Sequence, residues 1–345
     1  MTIKFKNVYV KDTALVAGRL EAMGEMSKYF DKRYSDYYMD KDSIELSEVK
    51  LQNDAIDILL KKTNVNINDI NLIIGGDLIN QITSTSYAVS KYSIPFLGVY
   101  SACATSMESI IIASNMIDSL SCKSAICVTS SHNLNSEKQF RNPIEYGAPK
   151  PKTFTFTSTG GASILLTNEK NKIKVTSGTI GKVVNYKQKD VNNMGAVMAP
   201  AAADTIYNHL KNMNESIDDY DLILTGDLGL FGKEILKDFM IKQYNIDISN
   251  KYNDCGVMLY DIKKQKEITA GGSGPVCSCL VNYGYIFEMM KVKKYKKVLF
   301  VTTGALFSPT FAYQKQDILG IAHAVCMEVV EWCIYIHFYL LVFYV

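Results

Sequence analysis

The chain repeats part of itself. Sliding its 345 residues by 150 lays Asp54–Leu78 over Asp204–Leu228, and about half of the positions coincide, including the whole Gly-Asp-Leu ending. Each copy reads as an amphipathic helix (Ile56, Leu59 and Leu60; Ile206 and Leu210), a polar turn and a short apolar strand, Leu72–Ile74 or Leu222–Leu224. A second pair coincides at an offset of 174, where Ala102-Cys103 falls on Val276-Cys277 and an apolar strand follows each, Ala125–Thr129 and Val298–Thr302. Strands alternating with helices of this length argue for mixed, mostly parallel sheets flanked by helices. The spacing is too long for stacked repeats, so it argues for an α/β fold of two duplicated halves packed face to face. The expected organisation is one half at 1–170, a second at 171–325 and an atypical apolar tail at 326–345. In such sheets ligands gather at the carboxyl ends of strands and at helix N-termini, where both Gly-Asp-Leu turns and Cys103 are predicted to lie.

Charge excludes some partners. Lys and Arg number 37 against 35 Asp and Glu, and the densest basic run, Lys291–Lys297, reads as a solvated helix end, so no nucleic-acid partner is indicated. A hydrophobic fraction of 48% with 21% charged residues supports a globular interior. The eight cysteines fall mostly in apolar or small-residue stretches without C-x-x-C pairs, which predicts reduced, buried thiols and no metal site. The first residues, MTIKFKNVYV, alternate like a strand and have no signal-peptide core, which predicts cytoplasmic synthesis. Cys333–Val345 has no Asp, Glu, Lys or Arg. As a helix it reaches about 20 Å, short of the ~30 Å hydrocarbon core, so it reads as a shallow membrane or partner contact, a terminal strand, or an accidental tail.

Cys103 follows the apolar run Ile94–Tyr100 and precedes Met107, Ile110, Ile111 and Ile117, whose spacing marks one helical face. The thiol is therefore predicted at a helix N-terminus, where unpaired N–H groups favour a thiolate nucleophile. A small residue at a tight strand-to-helix junction explains it equally well. Acyl transfer also needs a base. His132, after the strand Ala125–Thr129, is placed to face a cleft, whereas His323 reads as a core residue, His209 as lying on a polar helix face, and His337 falls in the tail. Ser131–Tyr146 is too polar and aperiodic for a core element and too aromatic for a linker, and reads as a functional loop offering Lys138, Arg141, Asn133, Gln139 and Tyr146 to a carboxylate, or as a solvated loop. Gly271–Gly274 fits either an anion cradle or close backbone packing between the halves, and is no P-loop.

Six motifs in order, SACATSME (101–108), SSHN (130–133), QFRNPIEYG (139–147), MAPAAADT (198–205), NDCGVMLY (253–260) and AGGSG (270–274), closely resemble the stage V sporulation protein AD family of the thiolase-like superfamily. The resemblance runs to about Val325. It implies the thiolase fold, membership of the machinery that moves dipicolinic acid with calcium into the forespore, and binding of dipicolinate. The superfamily's condensing enzymes place their nucleophile where Cys103 stands. Their second-half His and Asn positions fall here on Gly226 or Asp227 and on Gly272 or Ser273, so no base is retained there.

The resulting expectation is a non-catalytic site for dipicolinic acid or its calcium chelate. Cys103 and the helix terminus form its floor, Asp77, Asn80 and Gln81 one wall, and Ser131, His132 and Asn133 another. Arg141 is the carboxylate partner, and Asp227 and Ser273 close the site from the second half. No cofactor is expected. The expected partners are membrane proteins of the same transport complex, with a second copy of the chain as a further candidate and the protein peripheral at the inner membrane of the spore. The alternative is acyl transfer from a coenzyme A thioester through Cys103.

Overall fold

The computed structural model describes residues 1–141 and 149–330. Tyr146, His337, Cys333 and the apolar tail from 331 lie outside the described residues.

Ten strands carry the architecture: β1 (Tyr9–Ala17), β2 (Leu72–Gly76), β3 (Phe96–Gly98), β4 (Ser124–Ser131), β5 (Gly160–Thr167), β6 (Ile173–Ile180), β7 (Leu222–Thr225), β8 (Tyr252–Asp254), β9 (Lys297–Leu306) and β10 (Leu319–Val329). Their hydrogen-bonded order is β3-β2-β4-β5-β1 followed by β6-β10-β9-β7-β8. The second run mirrors the first strand for strand. Within each, one strand alone is antiparallel to its neighbours: β5 to β4 and β1, and β10 to β9 and β6. The others are parallel, as β2 is to β3 and β4, and β7 to β8 and β9. The runs meet edge to edge only through Tyr9 opposite Lys174 and Val10 opposite Ile173. Strand β10 continues to Val329, so residues 326–329 complete a central strand.

The helices repeat as well. α1 (Ile44–Thr63), α2 (Thr83–Val89) and α3 (Thr105–Asp118) correspond to α4 (Met194–Met213), α5 (Gly229–Tyr244) and α6, which comprises Pro275–Cys279, a π turn Leu280–Ile286, and Phe287–Lys291. The sequence repeat preserves the ends of these helices. Asn64 and Asn214 both stop a helix in the left-handed conformation, at φ 52° and 60°, which Asn tolerates better than most residues with a Cβ. Asn66 and Ser216 then cap the following turn by accepting from Asn68 N and Asp218 N.

Strands buried on both faces need no polar alternation, so they read as continuous apolar runs. In β9, Val298 and Phe300 face a central core with α3 and α6, while Leu299 and Val301 face an outer core with α4 and α5. In β4, Ala125 and Cys127 join the same central core, and Ile126 and Val128 pack outward with Ile56 and Leu59 of α1. The result is five layers, with α3 and α6 between the two strand sets. Among the described residues no helix is long and apolar enough to cross a membrane.

Candidate functional site

The strand-to-helix junction that carries Cys103 is a strained turn. Ala102 adopts φ 50°, a conformation that costs a residue with a Cβ of order 1 kcal/mol. Thr105 secures it, donating from Oγ1 to Ala102 O at 2.7 Å and accepting from Ser101 N at 3.1 Å. Strand β9 approaches so closely that a Cβ on Gly304 would stand 2.3 Å from Ser101 O. Three local constraints thus aim the thiol into the seam between the halves, two residues before α3 begins.

The groups against the sulfur come from the second half. Ser273 Oγ lies 3.8 Å from Cys103 Sγ and donates to Asp227 Oδ2 at 2.9 Å. Asp227 is fully buried, and it also accepts from Gly274 N at 3.2 Å and from Thr303 Oγ1 at 2.6 Å. Burial first, and then the negative charge of Asp227, hold the Cys103 thiol well above the usual thiol range. Burial likewise raises Asp227, against the three hydrogen bonds that favour its anion. The positions expected from the sequence to have lost a base therefore do stand beside the sulfur, as a carboxyl and a hydroxyl. A neutral thiol is a weak nucleophile. The helix terminus does not reverse this.

The described histidines point elsewhere. His132 is buried against Tyr37, its Nε2 2.9 Å from Tyr37 O. His323 Nε2 lies 3.3 Å from Ser101 Oγ, and its Nδ1 accepts from Gly181 N. His209, expected on a polar helix face, is instead fully buried between Thr179 Oγ1 at 2.7 Å and Tyr220 OH at 3.1 Å. Burial lowers all three to about 4, so they are neutral at neutral pH.

Above the sulfur opens a small cavity of about 50 Å3. Cys103, Ser273 and Thr157 meet its floor, and Thr157 pairs with Ser273 in a two-residue parallel bridge between the halves. Its walls are apolar, with Tyr100, Phe140, Met194, Met198 and Phe307. Phe140 and Phe307, one from each half, have ring centroids 6.0 Å apart. Arg141 is the one charged side chain among the described lining residues. Its Nη1 donates to Glu137 Oε1 at 2.6 Å, and its guanidinium lies 4.3 Å from the Phe154 ring centre.

Several expected wall residues face away from this cavity. Asp77 spends its carboxylate on Ile79 N, Thr85 N and Thr85 Oγ1, holding the start of α2. Ser131 donates to Ser158 O at 2.7 Å beneath Gly274, and Asn133 N donates to Thr159 Oγ1 at 3.0 Å. Asn80 and Gln81 are exposed and border a neighbouring surface groove that shares Leu78, Tyr100, Phe140 and Phe307 with the cavity. The segment read as a loop from Ser131 is helical where it is described: a turn at Asn133–Ser136 runs into a π turn at Glu137–Arg141. Lys138 pairs with Glu45 at 2.7 Å. Gly271–Gly274 is closely packed: a Cβ on Gly271 would meet the backbone Gly256 O at 2.6 Å, and one on Gly272 would meet the side-chain Cys277 Sγ at 2.8 Å. Cys277, the counterpart of Cys103, is enclosed within α6 with no exposed surface. The seven described cysteines are all unpaired.

Sequence reasoning missed Tyr100, Ser136, Met194, Met198 and Phe307. The MAPAAADT stretch signals Met198 as part of a family motif, but its distance from Cys103 in the chain hid the contact.

Two mirrored strand sets around a central helical layer, with a cysteine at the head of one central helix, make a thiolase-like fold. The 3-oxoacyl-[acyl-carrier-protein] synthase III of Aquifex aeolicus VF5 superposes with a TM-score of 0.54 at 12% identity, covering 93% of this chain and 99% of that one. A cerulenin-bound OleA of Xanthomonas campestris superposes with a TM-score of 0.62 at 14% identity, covering 95% and 98%. At such identities the likeness is one of fold. The family model for stage V sporulation protein AD (SpoVAD) matches residues 1–328, and stage V sporulation protein AD of Bacillus subtilis (strain 168) is 42% identical over 321 residues, 93% of this chain and 94% of that protein. The chain belongs to the stage V sporulation protein AD family, and so to sporulation.

Proposed function

We propose that the chain holds dipicolinate, or its calcium chelate, in the cavity above Cys103 without turning it over, as part of the machinery that loads the developing spore. The observation that carries this reading is the pairing of a buried arginine with flat apolar walls over a thiol that faces a carboxyl. Aromatic and methionine side chains suit a planar ring, and a guanidinium suits a carboxylate. Work at the spore inner membrane beside membrane partners fits the same reading and extends it.

Acyl transfer from a thioester is the rival reading, since the solved structures include a synthase and Cys103 heads a helix. Asp227 and Ser273 stand where a condensing enzyme needs a proton-transfer partner, and loss of that partner removes several orders of magnitude in rate.

Titration calorimetry with sodium dipicolinate, alone and with calcium, tests the proposal. Saturable heat with the wild type, weakened in Cys103→Ala and Arg141→Ala, is expected. No heat with either ligand, or equal binding in both variants, rejects this cavity. A mass increase on Cys103 after incubation with acyl-coenzyme A favours the rival.

A further inference from the structure

Two hydrogen-bond donors in this cavity have nothing to bond. Ser136 Oγ and Arg141 Nε are buried without a partner among the described residues, and both side chains line the cavity. Ser136 is 2% exposed and the Arg141 side chain 10%. A buried polar group left unsatisfied carries its full desolvation cost, so two of them on residues lining one cavity point to a missing acceptor.

Ser136 ends the short helical turn and Arg141 ends the π turn that follows, and both line the cavity together with Phe140. Gln139 fixes the turn to the first half, accepting from Asn80 N and donating to Leu78 O, both at 2.8 Å.

We infer that Ser136 Oγ and Arg141 Nε grip a single carboxylate of an aromatic acid whose ring lies against Phe140 and Phe307. This rests on the proposed function and names the end of the ligand that is held. Charge selects a carboxylate over a phosphate. Arg141 is already shared with Glu137, which also pairs with Lys150 at 2.5 Å, so one half-neutralised cation faces the cavity, enough for a monoanionic head and too little for a dianionic one. A second carboxylate on the same ring has to find its counter-charge elsewhere, as in a metal chelate.

Calorimetry on the full chain tests the grip with Ser136→Ala, Arg141→Gln and the double variant, using dipicolinate and its one-carboxylate fragment pyridine-2-carboxylate. The melting temperature of each variant guards against loss of fold. Ser136→Ala is expected to weaken both ligands about tenfold and Arg141→Gln about a hundredfold. The double variant should fall short of the product of the two losses by about fivefold, because one carboxylate takes both bonds. Binding by the wild type with additive losses, or with Ser136→Ala unaffected, overturns the shared grip while leaving the proposed function in place. No binding of either acid by the wild type overturns both.

Discussion

Cys103 Sγ lies 3.8 Å from Ser273 Oγ, each contributed by a different copy of the repeated unit. The hydroxyl is itself committed to Asp227, so the sulfur borders a hydrogen-bonded carboxyl, and among the described residues no imidazole is hydrogen-bonded to it.

That arrangement predicts a sluggish thiol. Alkylation of Cys103 by iodoacetamide at pH 8, followed by peptide mass spectrometry, should run at least about tenfold slower than that of a free cysteine, because only the thiolate reacts. Asp227→Asn removes the negative charge that helps to hold the thiol up, so its Cys103 should react several-fold faster. A wild-type rate equal to that of free cysteine contradicts the geometry.

Stability should fall as pH rises. Glu21 is 1% exposed, takes hydrogen bonds from Tyr260 and from Thr159 N at 2.9 Å, and forms no ion pair among the described residues; burial pushes it up to about 7. Burial, with Asp77 nearby, also pushes Glu48 up to about 8. A carboxyl raised by folding favours the folded state while protonated, so its contribution is complete below about 4.5 and is lost as pH climbs through 7 to 8. Urea unfolding should therefore give a free energy lower at pH 8.5 than at pH 5 by a few kcal/mol. Glu21→Gln should flatten that slope, and an equal slope in the variant rules out Glu21 as its source.

Helix α1 rests on β5 through a glycine. A Cβ at Gly161 would stand 2.4 Å from Leu51 O, a backbone atom that cannot rotate away. Gly161→Ala should cost about 1–3 kcal/mol, read as a lower denaturant midpoint at unchanged slope.

Gln139 should matter more than a surface amide usually does. It fastens the π turn to a strained corner where Gln81 and Ile82 both adopt positive φ, 61° and 48°, and a β-branched residue rarely tolerates that conformation. Gln139→Ala should speed hydrogen exchange at the Asn80 amide and weaken dipicolinate binding about threefold to tenfold. Unchanged exchange in the peptide spanning Leu78–Ile82 contradicts this role.

The fold was legible because its cues are local and occur twice: left-handed Asn64 and Asn214, the capped turns after them, and strands too apolar to face water. The site was less legible because identical local signals diverge through distant neighbours. Asp77 and Asp227 end the same Gly-Asp-Leu motif. One is captured by the next helix through Thr85 and the other by Ser273 and Thr303, which belong to strands far along the chain. The polarity of Ser131–Arg141 suggested a loop although several of its polar side chains are buried. Asn135 Nδ2 donates to Glu48 Oε2 at 2.6 Å and Ser130 Oγ to Glu48 Oε1 at 3.0 Å, an internal polar network that hydropathy reads as solvent exposure.

A doubled chain starts with two equivalent strand-to-helix corners, and here their fates have separated. The corner at Cys103 opens on the seam, while the one at Cys277 is sealed inside its helix. The first-half corner borders the chamber while Ser273 of the second half lines it from across the seam, so the two-fold symmetry of the backbone is broken at the site. Substitutions at the two corner cysteines will therefore have unequal effects, packing alone being at stake at Cys277.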